Sequence, residues 1–149
     1  MDRLLWKERE RALSANQWTF SFLKPESLKQ RIAGEVITRL EKKGLIFRQL
    51  KLHRITKAEA EELYDIHKGK PFFPELVEHV RSGLVLLMVL EGPNAVETVR
   101  KVIGGTNPLL AEPGSIRGDF SVSITANVIH ASDSVESAHR EAAIFFPER

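Results

Sequence analysis

Apolar residues change their period several times along the chain, and each change predicts an element. "WTFSFL", residues 18 to 23, has the aromatic and β-rich content of a strand. Lys24-Pro25 ends it, because proline cannot donate to a ladder, and so leaves a lysine at the strand's carboxyl end. From Leu28 to Lys43, Ile32, Val36, Ile37 and Leu40 recur at helical spacing, with Gly44 as the stop. "LIFRQLKLHR", 45 to 54, alternates imperfectly, yet its β-branched and aromatic content after a glycine predicts a strand. Thr56 and Glu59 stand at capping-box spacing and open a helix running to about His67. "KGKP" breaks it, and "FFPELVEHVRSG" supplies a second short helix stopped by Gly83, so the pair forms a surface hairpin.

"LVLLMVLE", 84 to 91, is nearly all apolar and too short for an ordinary helix, which predicts a central strand covered on both faces. Ala95 to Ile103 reads as a helix after Gly92-Pro93. "GGTNPLLAEPGSIRG" follows as a long loop, and loops of more than ~12 residues in a compact domain are usually functional. "DFSVSIT", 119 to 125, alternates Phe120, Val122 and Ile124 inward as a fourth strand, and Ser134 to Phe146 is the last helix. The order is that of an α+β chain with a ferredoxin-like βαββαβ core: a four-stranded antiparallel sheet covered by helices, with an inserted helical hairpin. Residues 1 to 17, with Leu4, Leu5 and Leu13 as apolar anchors, read as a weakly amphipathic N-terminal extension, outside the core or partly mobile. Residues 18 to 149 are then the domain.

Composition narrows this picture in three ways. At 149 residues, with 42% hydrophobic and 28% charged residues, the chain suits one globular domain. Zero cysteines remove disulfide frameworks, thiolate zinc sites and cysteine nucleophiles together. A net charge of +2 is too small to imply nucleic acid, so basic residues matter only where a few converge on a small anion. The longest apolar run, Leu84 to Leu90, is too short to span a bilayer, and the N-terminus lacks the apolar core of a signal peptide. A cytoplasmic location is the expectation.

Candidate chemistry concentrates in "NVIHASDSVESAHRE", 127 to 141. If a helix begins near Ser134, then Ser134, Ser137 and Glu141 share one stripe while His139 points elsewhere. Glu141 can thus look back toward His130, and a carboxylate on one imidazole nitrogen fixes the tautomer and leaves the other free to attack. On this stretch alone a polar histidine at a strand-to-helix turn is about as good a reading. A metal site from His130 and Asp133 lacks further ligands at suitable spacing, and a Ser-His-Asp triad cannot be argued from "HASD", since triad members meet in space. No Walker loop is present. Lys24, Arg100, Thr106 and Arg117 could converge on a polyphosphate, although each taken singly reads as a solvated surface residue.

The stretch "NVIHASDS" resembles the active-site signature of nucleoside diphosphate kinases, and the resemblance continues through "LKPES", "GEVITRLEKKGL", "YDIHKGKPFFPELV", "SGLVLLMVLEG", "IGGTNP" and "PGSIRGDF", covering roughly residues 18 to 147. The resemblance implies that His130 is phosphorylated and passes the phosphoryl group to a second nucleotide. It further implies that Glu141 holds that imidazole, Ser132 accompanies it, Lys24 helps neutralise the transferred phosphate and Tyr64 stands near the histidine. Arg100, Thr106 and Arg117 match residues holding the nucleotide phosphates, Asn127 one contacting the sugar hydroxyl, and Phe72 the ring on which the base stacks, with Leu76 beside it. Stacking tolerates any base, so ATP, GTP and other nucleoside triphosphates and diphosphates are the implied partners. Mg²⁺ is the implied cofactor, held mainly by substrate phosphates and water, with Asp133 touching its water shell. No nucleic acid or membrane partner is expected. The implied assembly is a homohexamer built from dimers, with a tetramer as alternative.

Three positions depart from the family's pattern. Glu26 replaces an aspartate and Ser27 a glycine after "LKP", which puts the first strand-to-helix turn in question, and Ala131 stands where glycine is commoner. The extension matches no part of the family, and the chain stops soon after "FFPER", leaving tail contacts in an assembly open. Two alternatives to an active kinase follow: a catalytically weak nucleotide-binding regulatory relative, or an RNA-binding module on the same topology. The second lacks the aromatic spacing of the RNA-recognition motif.

Overall fold

The computed structural model describes residues 3–5, 7 and 17–147. Four strands form one antiparallel sheet: β1 (Gln17–Leu23), β2 (Ile46–His53), β3 (Val85–Gly92) and β4 (Ile129–Ala131), in the spatial order β2-β3-β1-β4. From residue 17 to residue 147 the α-helices are α1 (Pro25–Lys29), α2 (Ala33–Lys42), α3 (Lys57–Leu63), α4 (Phe73–Val80), α5 (Ala95–Ile103), α6 (Ile116–Phe120) and α7 (Val135–Phe145). With β1 and β3 adjacent at the centre, this is the ferredoxin-like arrangement, carrying α3 and α4 as an inserted hairpin.

Both faces of the sheet are covered, which explains why β3 reads as an unbroken apolar run. Its Val85, Leu87 and Val89 join Phe20, Phe22, Leu63, Val77, Val80 and Phe145 on the face carrying α3, α4 and α7. Leu86, Met88 and Leu90 join Val36, Leu40, Val99, Ile103 and Ile116 on the face carrying α2, α5 and α6. A strand with apolar neighbours on either side has no polar face to alternate. The imperfect alternation of β2 has a different cause, a register shift between Phe47 and Gln49 where it pairs with β3.

Three elements differ from the sequence expectation. The helix expected from Leu28 to Lys43 is two helices, broken where Arg31 takes φ 60°. Leu28 and Ile32 pack against the same core cluster as Val36, so the apolar period runs through the break and conceals it. The helix opened by Thr56 has the expected reciprocal capping box but ends at Leu63, and a 3₁₀ turn, Asp65–His67, completes the segment.

The strand expected at 119 to 125 is absent. Ile116 and Phe120 lie on α6 and pack into the core four residues apart, while Val122 and Ile124 are 85% and 59% exposed. Ser115 caps that helix by accepting from Gly118 N–H. The fourth strand is the three-residue β4 instead, which pairs Ser21 with Ala131, Phe22 with His130 and Leu23 with Ile129. Alternation had counted exposed side chains as core.

Arg3, Leu4, Leu5 and Lys7 are helical and exposed, Gln17 opens β1, and the other residues of the expected extension lie outside the described residues. Among the described residues, no helix is long and apolar enough to cross a membrane.

Candidate active site

His130 occupies the middle of β4, with its ring stacked 5.0 Å from that of its cross-strand partner Phe22. The helix that follows starts where the sequence puts it, because the Ser134 hydroxyl accepts from Ser137 N–H. Two turns further, Glu141 is buried, and its Oε1 lies 2.5 Å from His130 Nε2. The Ser132 hydroxyl donates to the same oxygen at 3.0 Å, and Arg140 stands 3.8 Å from the other. A carboxylate accepting from Nε2–H leaves Nδ1 as the imidazole's lone-pair nitrogen. Among the described residues, Nδ1 has no hydrogen-bond partner, and the His130 side chain is 22% exposed. Nδ1 is therefore the ring nitrogen left free to act as a nucleophile.

Lys24 caps the end of β1 and is only 8% exposed, with its Nζ donating to Asn127 Oδ1 at 2.7 Å. Burial lowers its pKa to about 8; the Glu26 carboxylate works against that fall and Arg117 adds to it. Arg117, on α6, donates to the carbonyls of Asn127, Gly104 and Ile129 at 3.2, 3.1 and 2.6 Å. Its pKa is lowered to about 10, by burial first and then by Arg100. Arg100 projects from α5 toward Ala131 O at 3.4 Å. Cations this close repel one another unless an anion joins them. Tyr64, at the end of α3, has its phenol held well above the ordinary value by burial, then by the charges of Glu141 and Glu26, so the hydroxyl keeps its proton.

Two cavities adjoin this arrangement. One of about 500 Å³ is lined by Arg100, Thr106, Arg117 and Ala131, the residue that follows His130. The other, about 320 Å³, is lined by Lys24, Phe72, Leu76, Thr106 and Asn127. Thr106 belongs to both, so the two cavities meet at the long loop. Phe72 lines the second cavity and is 44% exposed. All seven residues that the family resemblance associates with a nucleotide line one or other of these two cavities. Asp133 lines a further pocket beside Arg100, and hydrogen bonding from Ser137 holds its carboxyl below the usual range.

Sequence reasoning missed several residues of the cleft. Ile124 and Thr125 line the apolar cavity, where Ile124 had been expected in the core of a strand. His67 lines it as well, its ring 5.3 Å from that of Phe72, although "YDIHKGKPFF" gave no sign that its histidine faces a cavity. Gly104, at φ 89°, lets Ser115 approach closely, since a Cβ there would lie 2.4 Å from the Ser115 hydroxyl. His139 stacks on Trp18 at 4.2 Å, away from His130.

Comparison with known proteins points to one family. The family model described as nucleoside diphosphate kinase matches residues 17–149. The chain is 52% identical over 130 residues to a nucleoside diphosphate kinase of Hyperthermus butylicus, covering 87% of this chain and 92% of the relative. It is also 52% identical over 132 residues to that of Sulfurisphaera tokodaii, covering 89% and 90%. The crystal structure of the apo enzyme from Encephalitozoon cuniculi superposes with a TM-score of 0.85 at 42% identity, over 87% of this chain and 88% of that one.

Proposed function

The chain belongs to the nucleoside diphosphate kinase family, and from that premise we propose that it transfers the γ-phosphoryl group of a nucleoside triphosphate to a nucleoside diphosphate through phospho-His130. The observation carrying this reading is the 2.5 Å contact of Glu141 with His130 Nε2, beside a cationic cleft. In the first half-reaction Nδ1 attacks the γ-phosphorus. An N–P bond forms, the bond from phosphorus to the bridging β-phosphate oxygen breaks, and the departing diphosphate keeps the electron pair. Nε2 keeps its proton throughout, and Glu141 balances the charge that develops on the ring. A second diphosphate then takes the group by the reverse step, so the kinetics are ping-pong.

Each side chain has a defined part in this scheme. Lys24, Arg100 and Arg117 neutralise a loose, charge-spread transition state, and their fixed positions replace the solvent reorganisation the reaction needs in water. Tyr64 keeps its hydroxyl proton and stands near the histidine as a hydrogen-bond donor. Thr106 binds phosphate, Asn127 the sugar hydroxyl, and Phe72 with Leu76 receives the base, so ATP, GTP and the other common nucleotides are substrates. Ser132 and Glu141 orient the ring.

Mg²⁺ fits such a site. When bound with the nucleotide it neutralises phosphate charge, and Asp133, kept anionic next to Arg100, is the residue suited to its water shell. We assign the kinase domain to residues 18–149, residues 1–17 to an extension, the location to the cytoplasm and the assembly to a homohexamer. Exposed Leu109 and Leu110 on the long loop support a further interface.

Incubation with γ-labelled ATP tests the central step. An acid-labile, base-stable phosphoprotein is expected, lost in His130→Ala. A His130→Ala chain that still moved phosphate between nucleotides would sink the mechanism.

A further inference from the structure

Glu26, one of two residues that depart from the family's pattern in the first turn, has both carboxylate oxygens engaged across the molecule. Its Oε1 lies 2.9 Å from His79 Nε2 on α4, and its Oε2 accepts from Val128 N–H at 3.1 Å. Val128 is β-branched and wholly buried, yet adopts φ 77°. Across it, Ile129 N–H donates to the Asn127 carbonyl at 2.9 Å, closing a three-residue γ-turn in its rare positive-φ form. A valine stays in that conformation only where its surroundings over-determine it.

Those surroundings come from one short turn. Lys24 N–H donates to the Val128 carbonyl at 2.8 Å, while Glu26 holds the Val128 N–H, so both sides of the strained residue are tied to the start of α1. The γ-turn separates Asn127, which takes Lys24 Nζ, from His130, two residues beyond Val128. It therefore sets the angle between the group facing the cleft and the nucleophile. His79 lies on α4, one turn from Leu76 and following Phe72, so the His79–Glu26 contact joins the apolar wall of the cleft to that angle.

We infer that Glu26 and His79 form a positioning pair, in which His79 fixes the Glu26 carboxylate and the carboxylate holds the Val128 γ-turn that directs His130 toward the nucleotide. The inference rests on His130 being the phosphoryl acceptor. Neither residue touches the reacting atoms; both act through the turn. Glu26 has a second effect, because its charge opposes the loss of the Lys24 proton that burial and Arg117 promote. The charged groups acting on Lys24 are thus Glu26 from α1 and Arg117 from α6.

Single-turnover phosphorylation by ATP, with nucleotide affinity and thermal melting measured alongside, tests the pair. Glu26→Ala is expected to slow phosphohistidine formation by about 10²-fold, the scale of a misplaced reacting group. His79→Phe is expected to slow it by about tenfold, and His79→Gln, which can still donate to the carboxylate, to recover most of that loss. Nucleotide affinity stays within about twofold in each, and Glu26→Ala/His79→Phe is no slower than Glu26→Ala alone, as expected of residues acting as one unit. Glu26→Gln moves the alkaline limb of the rate profile to lower pH, because Lys24 loses its protecting charge. The pair is refuted if His79→Phe matches the intact chain, if losses appear as weaker binding, if the two losses multiply, or if the alkaline limb does not move. Should Glu26→Ala fail to fold, the comparison of His79→Phe with His79→Gln decides. An intact chain that forms no phosphohistidine refutes the His130 reading itself, a result distinct from variants that merely equal the intact chain.

Discussion

At the scale of single residues, function depends on groups held away from their ordinary states. Glu141→Gln keeps the size of the side chain but lets an amide N–H face Nε2, which favours the tautomer with its proton on Nδ1 and blocks attack. Phosphohistidine formation should fall by about 10²–10⁴-fold, read in a single turnover. Lys24 gives a pH signature in stability. Its folded pKa is about 8 against an ordinary lysine value of 10.5, so between those values the unfolded chain holds the extra proton. Stability of the nucleotide-free protein should therefore rise with pH through that window, by at most on the order of 3 kcal/mol. Denaturant titrations of the intact chain and Lys24→Met at several pH values check this, and parallel curves would contradict it.

Elements matter here for how they approach one another. The start of α6 lies so close to the preceding loop that a Cβ on Gly118 would sit 2.1 Å from the Glu112 carbonyl oxygen, where backbone cannot yield cheaply. Gly118→Ala should destabilise the protein by about 2 kcal/mol or more and raise KM for the triphosphate, because α6 carries Arg117. Thermal melting together with steady-state kinetics reads both effects; an unchanged KM would separate loop packing from phosphate binding. The same region shows why one strand was misread. "DFSVSIT" has a faultless period of two, but alternation reports a strand only when one set of side chains is buried, and Val122 and Ile124 are not. A three-residue strand such as β4 is too short to carry any period. The break between α1 and α2 escaped for the converse reason, since residues on both sides of it bury against one core.

For the whole molecule, the long loop presents Leu109 and Leu110, 88% and 80% exposed, beyond the cleft it helps to build. Burial of apolar side chains like these favours association by roughly 25 cal/mol per Å². Static light scattering at working concentration should give the mass of six copies, and Leu109→Asp/Leu110→Asp should lower it; a single-chain mass for the intact protein would end the hexamer proposal.

What the sequence determined by itself was the order of most elements and the double covering of β3, because period and capping are local properties written along the chain, while the residues of the cleft came from its resemblance to a family. "NVIHASDSVESAHRE" placed Glu141 on a stripe that could face His130, and the spaced matches from Lys24 to Arg117 marked the remaining residues. The tertiary structure decided which nitrogen of His130 Glu141 engages, where the fourth strand lies, and that Ile124 walls the cleft and does not fill the core. It also revealed that Glu26 reaches both His79 and Val128, contacts 53 and 102 residues apart in the chain. Periodicity records which residues avoid water, but a hydrogen bond between distant segments depends on angles and distances that only the packed chain sets.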